Sequence, residues 1–406
     1  MEKSEFFRGA RHDLPGPLHG IKVIEMTRAW AGPMAGCLLA DLGADVIRVE
    51  LPGNREGQVA PEIPGTGLSW FRQTVHRNKR SVTVDVRAAD GREVYLEVVK
   101  TCDVLIENFK PGTLDRWGIG YRDCAAARPG LVYVSISGWG QFGPQAQRPG
   151  YDPAAQAASG WMALNGDVGG GPTKAPTFLA DDVAGLHAAI AALAALRHRD
   201  QTGEGQQIDV SLLDCLLFQS DGFLTLAAAE VPPVRRGNEM DSIVPCDAYA
   251  CADGHVYIAV ALDKHWRLLA EAVGKPELAR APGYARNDDR VANRHEVNAV
   301  VAQWCAVRSV QEVVRELDGR GITVAPIGDF AAAAKDPHVR ARDMLQDTTL
   351  CNGSVAPLTG PAVKFSRTPQ RIRHGAPAVG ADTDDVLEDA GVGADRRAAL
   401  RGAEVI

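Results

Sequence analysis

Residues 21–50, IKVIEMTRAWAGPMAGCLLADLGADVIRVE, decide the fold. The first five form a short apolar run of the kind a buried strand carries. Residues 32–43 set Ala, Leu and Met among small residues, as a packed helix does. Residues 44–50 return to strand and end on the acidic Glu50. The pattern continues down the chain: residues 81–85 alternate with period two, 91–100 suit a helix, and 103–107 make another strand. Leu131-Val-Tyr-Val-Ser-Ile-Ser137 is the strongest strand signal. Strands alternating with helices predict parallel βαβ units with right-handed crossovers, hence an α/β fold.

Beyond this core, residues 138–153 and 166–176 are loops rich in Gly and Pro. Residues 183–198 read as an Ala/Leu helix stopped by the turn Thr202-Gly-Glu-Gly205, followed by a strand over 207–212. Composition shifts near Val231-Pro-Pro-Val234. Residues 245–335 look like a second, smaller α/β unit, with a strand at 255–261 and then helices. The expected division is a large domain over 1–225, a small domain with its linkers over 226–340, and a segment over 341–406 that returns to the large domain.

The 406 residues allow two to three domains, and 45% apolar with 23% charged residues is ordinary globular composition. The net charge, 44 − 51 = −7, argues against a nucleic-acid partner. Basic residues do gather at His76-Arg-Asn-Lys-Arg80, at Arg87, and at Lys110 and Arg116. Cations on strand-end loops suit an anionic, nucleotide-like ligand; the plainer alternative is a solvated charged face. Eight cysteines include no C-x-x-C pair, so reduced thiols used as small apolar residues are expected. The N-terminus lacks a secretory apolar stretch, and the longest largely apolar run, 186–196, is short for a membrane span, so a cytoplasmic location with no membrane partner is expected.

Two features bear on chemistry. Gly138-Trp-Gly-Gln-Phe-Gly143 fits G-x-G-x-x-G after a strand, but Pro144 and Arg148-Pro149-Gly150 follow, so no helix opens and the dinucleotide fingerprint fails. Asp181 and Asp182 precede the Ala/Leu helix, where a carboxylate serves as N-cap and dipole partner, or as a nucleophile on an acyl group. His187 falls toward the opposite face from Asp181 and reads as a packed histidine. No zinc-protease, serine-hydrolase or P-loop motif occurs, and no metal ligand set is expected.

Several segments together resemble the class III CoA-transferases: Met26-Thr-Arg-Ala-Trp-Ala-Gly-Pro33, Asp41-Leu-Gly-Ala-Asp-Val-Ile-Arg-Val-Glu50, Asn78-Lys-Arg-Ser-Val-Thr-Val-Asp85, Glu107-Asn-Phe-Lys-Pro-Gly112, Gly150-Tyr-Asp-Pro-Ala-Ala-Gln156, Asp181-Asp-Val-Ala-Gly185 and Thr202-Gly-Glu-Gly-Gln206. The similarity covers nearly the whole chain, and the order and spacing of the segments are specific. It implies that Asp181 is the nucleophile, attacking an acyl-CoA thioester to give a mixed anhydride and then an aspartyl-CoA thioester. It implies CoA contacts at Trp30, Ala31, Val84, Arg87, Asn108, Phe109, Lys110 and Arg116, and places Arg28, Tyr151 and Asp152 near the substrate. The CoA thioester is a co-substrate, with no tightly bound cofactor. The resemblance further implies a Rossmann-like large domain with a parallel sheet, completed by the C-terminal segment, a smaller α/β domain, and two chains interlocked as linked rings, as a homodimer or with a homologous subunit.

Two departures qualify it. No glycine run occurs near 235–260, which speaks against oxalate chemistry. Leu51 stands where the formyl-CoA relatives carry an arginine, so one phosphate contact is either lost or supplied by Arg48. The expected donor is succinyl-CoA. The expected acceptor is a carboxylic acid whose second carboxylate pairs with Arg28, His76 or Arg77; Trp30 would favour a bulky dicarboxylate such as benzylsuccinate. Two alternatives are an α-methylacyl-CoA racemase, for which Gly150-Tyr151-Asp152 lacks the histidine base, and a CoA-binding subunit of a heterodimeric transferase.

Overall fold

The computed structural model describes residues 1–53 and 60–406. Its centre is a six-stranded sheet: β1 (Lys22–Met26), β2 (Asp45–Glu50), β3 (Lys79–Thr83), β4 (Val104–Glu107), β5 (Val132–Ser137) and β6 (Gln206–Ser211). The spatial order is β3-β2-β1-β4-β5-β6 with every pairing parallel. Such strands are buried on both faces, which is why the sequence reads as short, nearly continuous apolar runs. All six residues of β5 are buried.

Alternation then sorts side chains between two cores. Val23, Val46, Val104, Val132 and Val134 face one side, against α1 (Ala31–Asp41) and α4 (Leu179–Thr202). Ile24, Ile47, Val82, Leu105 and Tyr133 face the other, against α2 (Ala89–Lys100) and the C-terminal residues Val386, Leu387, Leu400 and Val405. A further helix, α3 (Asp152–Ala158), lies between β5 and α4 in the chain. α4 begins four residues earlier and runs four residues further than the 183–198 the sequence pattern suggests, stopping at the expected turn on Gly203, whose φ of +80° suits a residue without Cβ. By length and composition this 24-residue helix is apolar enough to cross a membrane. Here its Ala180, Ala184, Ala188, Ala192 and Ala195 pack into the sheet-facing core.

The chain divides into two compact units. The larger comprises Met1–Trp161, Lys174–Val231 and Pro337–Ile406; the smaller comprises Met162–Thr173 and Pro232–Asp336. The expected boundaries assign 162–173 to the large domain, and the structure moves that segment to the small unit. Arg235 holds it there, donating to Ala163 O at 2.6 Å and Gly171 O at 2.7 Å. The small unit carries a three-stranded antiparallel sheet of Cys246–Ala250, His255–Ala259 and Thr323–Pro326, over a core that includes Trp266, Val301 and Leu317. The C-terminal segment belongs to the large unit, where Asp382 N donates to Ser81 O and Asp85 N to Val405 O.

Candidate active site

In a parallel sheet, the strand order reverses where two neighbouring loops turn to opposite faces, leaving a crevice outside the carboxyl ends. Here that point lies between β1 and β4. A cavity of about 350 Å³ opens there. The loop after β1 supplies Arg28 and Ala31, and the loop after β4 supplies Asn108, Phe109 and Lys110. Arg148 and Tyr151 come from the segment after β5, and Asp181 from α4. Asn108 ties the first two loops together. Its Oδ1 accepts from Arg28 N, and its Nδ2 donates to Arg28 O, both at 2.7 Å.

The two adjacent aspartates differ in what they can do. Asp182 Oδ1 accepts from Trp30 Nε1 at 2.6 Å, so this carboxylate is committed to the protein. The Asp181 carboxylate lies at the cavity and has no hydrogen-bond partner among the described residues. Both lie in the first turn of α4; the N-cap position is Phe178, not either aspartate. The expected capping role is therefore corrected: the helix starts upstream of them. Burial, then the neighbouring carboxylates of Asp152 and Asp182, push the Asp181 carboxyl up to about 7. Near neutral pH this carboxyl on the cavity wall is therefore ionised only in part.

Asp152 supports Asp181 from behind. It is buried; its Oδ1 accepts from Ala180 N at 2.7 Å and its Oδ2 from Gln156 Nε2 at 2.8 Å. Gln156 Oε1 in turn accepts from Ala175 N. A side chain from α3 thus satisfies a free amide at the start of α4 and fixes the turn that carries Asp181. Tyr151 is 70% exposed at the cavity. His187 is a packed histidine, as expected: Nδ1 meets Val183 O, and the ring stands edge-on to Phe218.

The cavity brings together Arg28, Ala31, Asn108, Phe109, Lys110, Tyr151 and Asp181 from the expected set. It leaves out five: Asp152, buried behind Asp181, and four others. Val84 is 1% exposed and packs in the core beneath the sheet. Arg87 pairs with Asp85 at 2.7 Å. Arg116 is exposed on the short helix Thr113–Arg116 and bonds Thr113 Oγ1. Trp30 is buried against Trp70, Phe71 and Phe178.

The basic run at 76–80 is corrected more sharply. His76 and Arg77 are buried, and Arg77 pairs with Asp41 at 2.6 Å. Lys79 pairs with Glu25, and Arg80 with Asp45 and Asp389. Arg48 is 1% exposed between Glu25 and Glu50, so it does not substitute for a phosphate contact in place of Leu51. Arg48, Arg77 and Lys79 answer buried carboxylates, and neither His76 nor Arg77 is open to a substrate. Arg148 is the cavity residue the sequence reading left aside. The sequence signal for it is its place two residues before Gly150-Tyr151-Asp152. Among the described residues no group of three or more potential metal ligands occurs.

The family model described as CoA-transferase family III matches residues 18–383. The succinate–glutarate CoA-transferase of Agrobacterium fabrum is 35% identical, over 93% of this chain and 97% of that protein. The succinyl-CoA–L-malate CoA-transferase beta subunit of Chloroflexus aurantiacus is 36% identical, over 92% and 94%. Among solved structures, a CAIB/BAIF family protein from Brucella suis superposes with a TM-score of 0.82 at 34% identity, covering 93% of this chain and all of that one.

Proposed function

The chain belongs to CoA-transferase family III, and from that premise we propose that it moves CoA from succinyl-CoA to a dicarboxylic acid through covalent intermediates on Asp181. The observation that carries the mechanism is the unpartnered Asp181 carboxylate at the mouth of α4. One carboxylate oxygen attacks the thioester carbonyl, the C–S bond breaks, and CoA leaves as thiolate. The thiolate then attacks the aspartyl carbonyl of the anhydride, expelling the donor acid as its carboxylate and leaving an aspartyl-CoA thioester. The acceptor carboxylate attacks that thioester, and the two steps run in reverse. No net proton is consumed, and each step exchanges one acyl bond for another. Lys110, Asn108 and Phe109 would hold the CoA arm beside Asp181, keeping the thiolate near the anhydride.

Intact-protein mass spectrometry after mixing with succinyl-CoA tests this. The expected result is an acyl or CoA adduct on the Asp181 peptide; CoA binding with no adduct from several acyl-CoA donors would sink it. A racemase would instead exchange the α-proton of a branched acyl-CoA in deuterated water. Tyr151, exposed at the cavity, stands where such a racemase would carry its histidine base.

An aryl dicarboxylate such as benzylsuccinate is the second acceptor reading. It is favoured by Trp70 and Phe178, each more than a third exposed, in the ring cluster around Trp30. Acceptor screening with glutarate, malate and benzylsuccinate separates the two.

Asp152 gives a prediction specific to this mechanism. Asp152→Asn keeps an acceptor for Ala180 N and removes a negative charge beside Asp181. The Asp181 carboxyl should then ionise at lower pH, so the acidic limb of kcat/KM moves down. Asp152→Ala also removes the acceptor and should cost about 1 kcal/mol of stability. Measured pH–rate profiles and denaturant melts check both.

The working unit we propose is a dimer, interlocked and formed with a second copy or a homologous subunit, in the cytoplasm. What supports a partner is the outward stripe of α4: Leu186, Ile190 and Leu193 recur at helical spacing and are 48%, 63% and 36% exposed. Light scattering should give twice the chain mass for the protein expressed alone, and Ile190→Glu should lower it. A protein that stays monomeric until a second gene product is added would favour the heteromer.

A further inference from the structure

We propose that Arg148, together with Arg28, holds the unreacting carboxylate of the dicarboxylic acid and so sets acceptor choice at the Asp181 cavity. The inference rests on the CoA-transferase reading and adds to it a positioning and specificity role for a residue that reading does not contain.

Both guanidinium groups line the cavity that Asp181 lines. Each lies over an aromatic ring, Arg148 Cζ at 4.9 Å from the Trp139 centroid and Arg28 Cζ at 5.6 Å from that of Phe109. Trp139 is itself fixed: it is 9% exposed, and its Nε1 donates to Pro149 O at 3.1 Å. A guanidinium stacked this way spends its face on the ring and keeps its in-plane N–H groups for an anion.

Several arginines elsewhere in the large unit are matched with carboxylates: Arg72 with Glu50, Arg77 with Asp41, Arg80 with Asp45, Arg199 with Asp103. Arg148 bonds only the neutral amide of Gln145, and neither it nor Arg28 has an ion pair among the described residues. Two cations without counter-charge on one cavity wall ask for an anionic ligand. They do not serve Asp181 itself, whose carboxyl is pushed up by burial and acidic neighbours with no basic group opposing. The anion they take therefore sits apart from the reacting carbon. In a short dicarboxylate that is the second carboxylate.

A CoA phosphate offers the same chemistry, and the test separates the two. Wild type, Arg148→Gln and Arg148→Lys are compared with glutarate and with butyrate as acceptors, at saturating succinyl-CoA, and free CoA binding is measured by calorimetry. Loss of a charge-assisted hydrogen-bond pair should lower kcat/KM for glutarate about 10- to 100-fold more than for butyrate in Arg148→Gln. The change should appear mainly in the acceptor KM, with partial recovery in Arg148→Lys. The CoA Kd should stay within about twofold, which also shows that the variant is folded. An unchanged glutarate-to-butyrate ratio overturns the proposal. So does a weakened CoA Kd at constant ratio, which would assign Arg148 to a phosphate. Wild type that transfers CoA to neither acid and forms no Asp181 adduct would instead bring down the transferase reading, and the clamp with it.

Discussion

Asp181→Asn should abolish turnover and, at pH 8, make the folded protein melt at a higher temperature than wild type. Loss of a covalent nucleophile removes the reaction path itself, so kcat should fall by at least ~10⁴-fold. The stability gain follows from the environment that activates the residue. Burial and the charges of Asp152 and Asp182 raise the Asp181 carboxyl from its ordinary 3.8 to about 7. The folded state thus binds this proton more tightly than the unfolded chain does. Any stability from that proton is complete below about pH 4, is lost as pH rises toward 7, and above 7 becomes a cost of about 2–4 kcal/mol after allowing for water in the cavity. Asparagine carries no charge at any of these pH values and escapes the cost. The difference in Tm between variant and wild type should therefore be several degrees at pH 8 and close as pH falls toward 4. In the wild type the same carboxyl must be ionised to attack, so kcat/KM should climb through an acidic limb near pH 7 to a plateau. A variant that lost activity and also melted early at pH 8 would point to a structural carboxylate.

The strands were legible because a parallel sheet buries both faces of each strand, which leaves a local mark in the sequence. Their order was not, since no local pattern says that β1 pairs with both β2 and β4, and it is that pairing that opens the cavity. Asp181 could be singled out by its motif. What sets it apart from Asp182 is a contact 152 residues distant in sequence, the Trp30 indole. The cations at 76–80 misled for a related reason. A sequence displays a cation, but its buried partners Glu25 and Asp41 lie on other elements and look like ordinary surface acids until the chain folds. Segment 162–173 was assigned by continuity along the chain, whereas Arg235 decides its place through backbone carbonyls that no composition reveals.

Gly36→Ala should be among the most destabilising single substitutions in the large unit, although it adds one methyl group in a helix, where alanine is normally favoured. α1 passes so close to β1 that a Cβ at Gly36 would lie 1.8 Å from Glu25 Oε2 and 3.1 Å from Lys79 Nζ. A carboxylate at the end of a free side chain would step aside. Glu25 is held on three sides: Oε2 by Lys79 Nζ at 2.5 Å, and Oε1 by Arg48 Nη1 and Thr27 Oγ1, both at 2.8 Å. Glu25 is fully buried, and Arg48 and Lys79 are each 1% exposed, so moving the carboxylate strands the Lys79 ammonium without water and leaves Arg48 with Glu50 alone of the two carboxylates. Breaking a buried ion pair in this way costs about 3–5 kcal/mol, a large share of the 5–15 kcal/mol by which domains are usually stable. The damage reaches the cavity, because Lys79 Nζ also donates to Pro33 O at 2.8 Å in the turn that presents Ala31. Gly402→Ala is the matched control: a Cβ there meets nothing within 4 Å, so the change should be neutral or stabilising by up to about 1 kcal/mol. Guanidinium melts decide the matter through a lower midpoint at unchanged slope for Gly36→Ala. Equal midpoints for the two variants would mean that the Glu25 network yields at little cost, and that α1 is not fixed against β1 by charge.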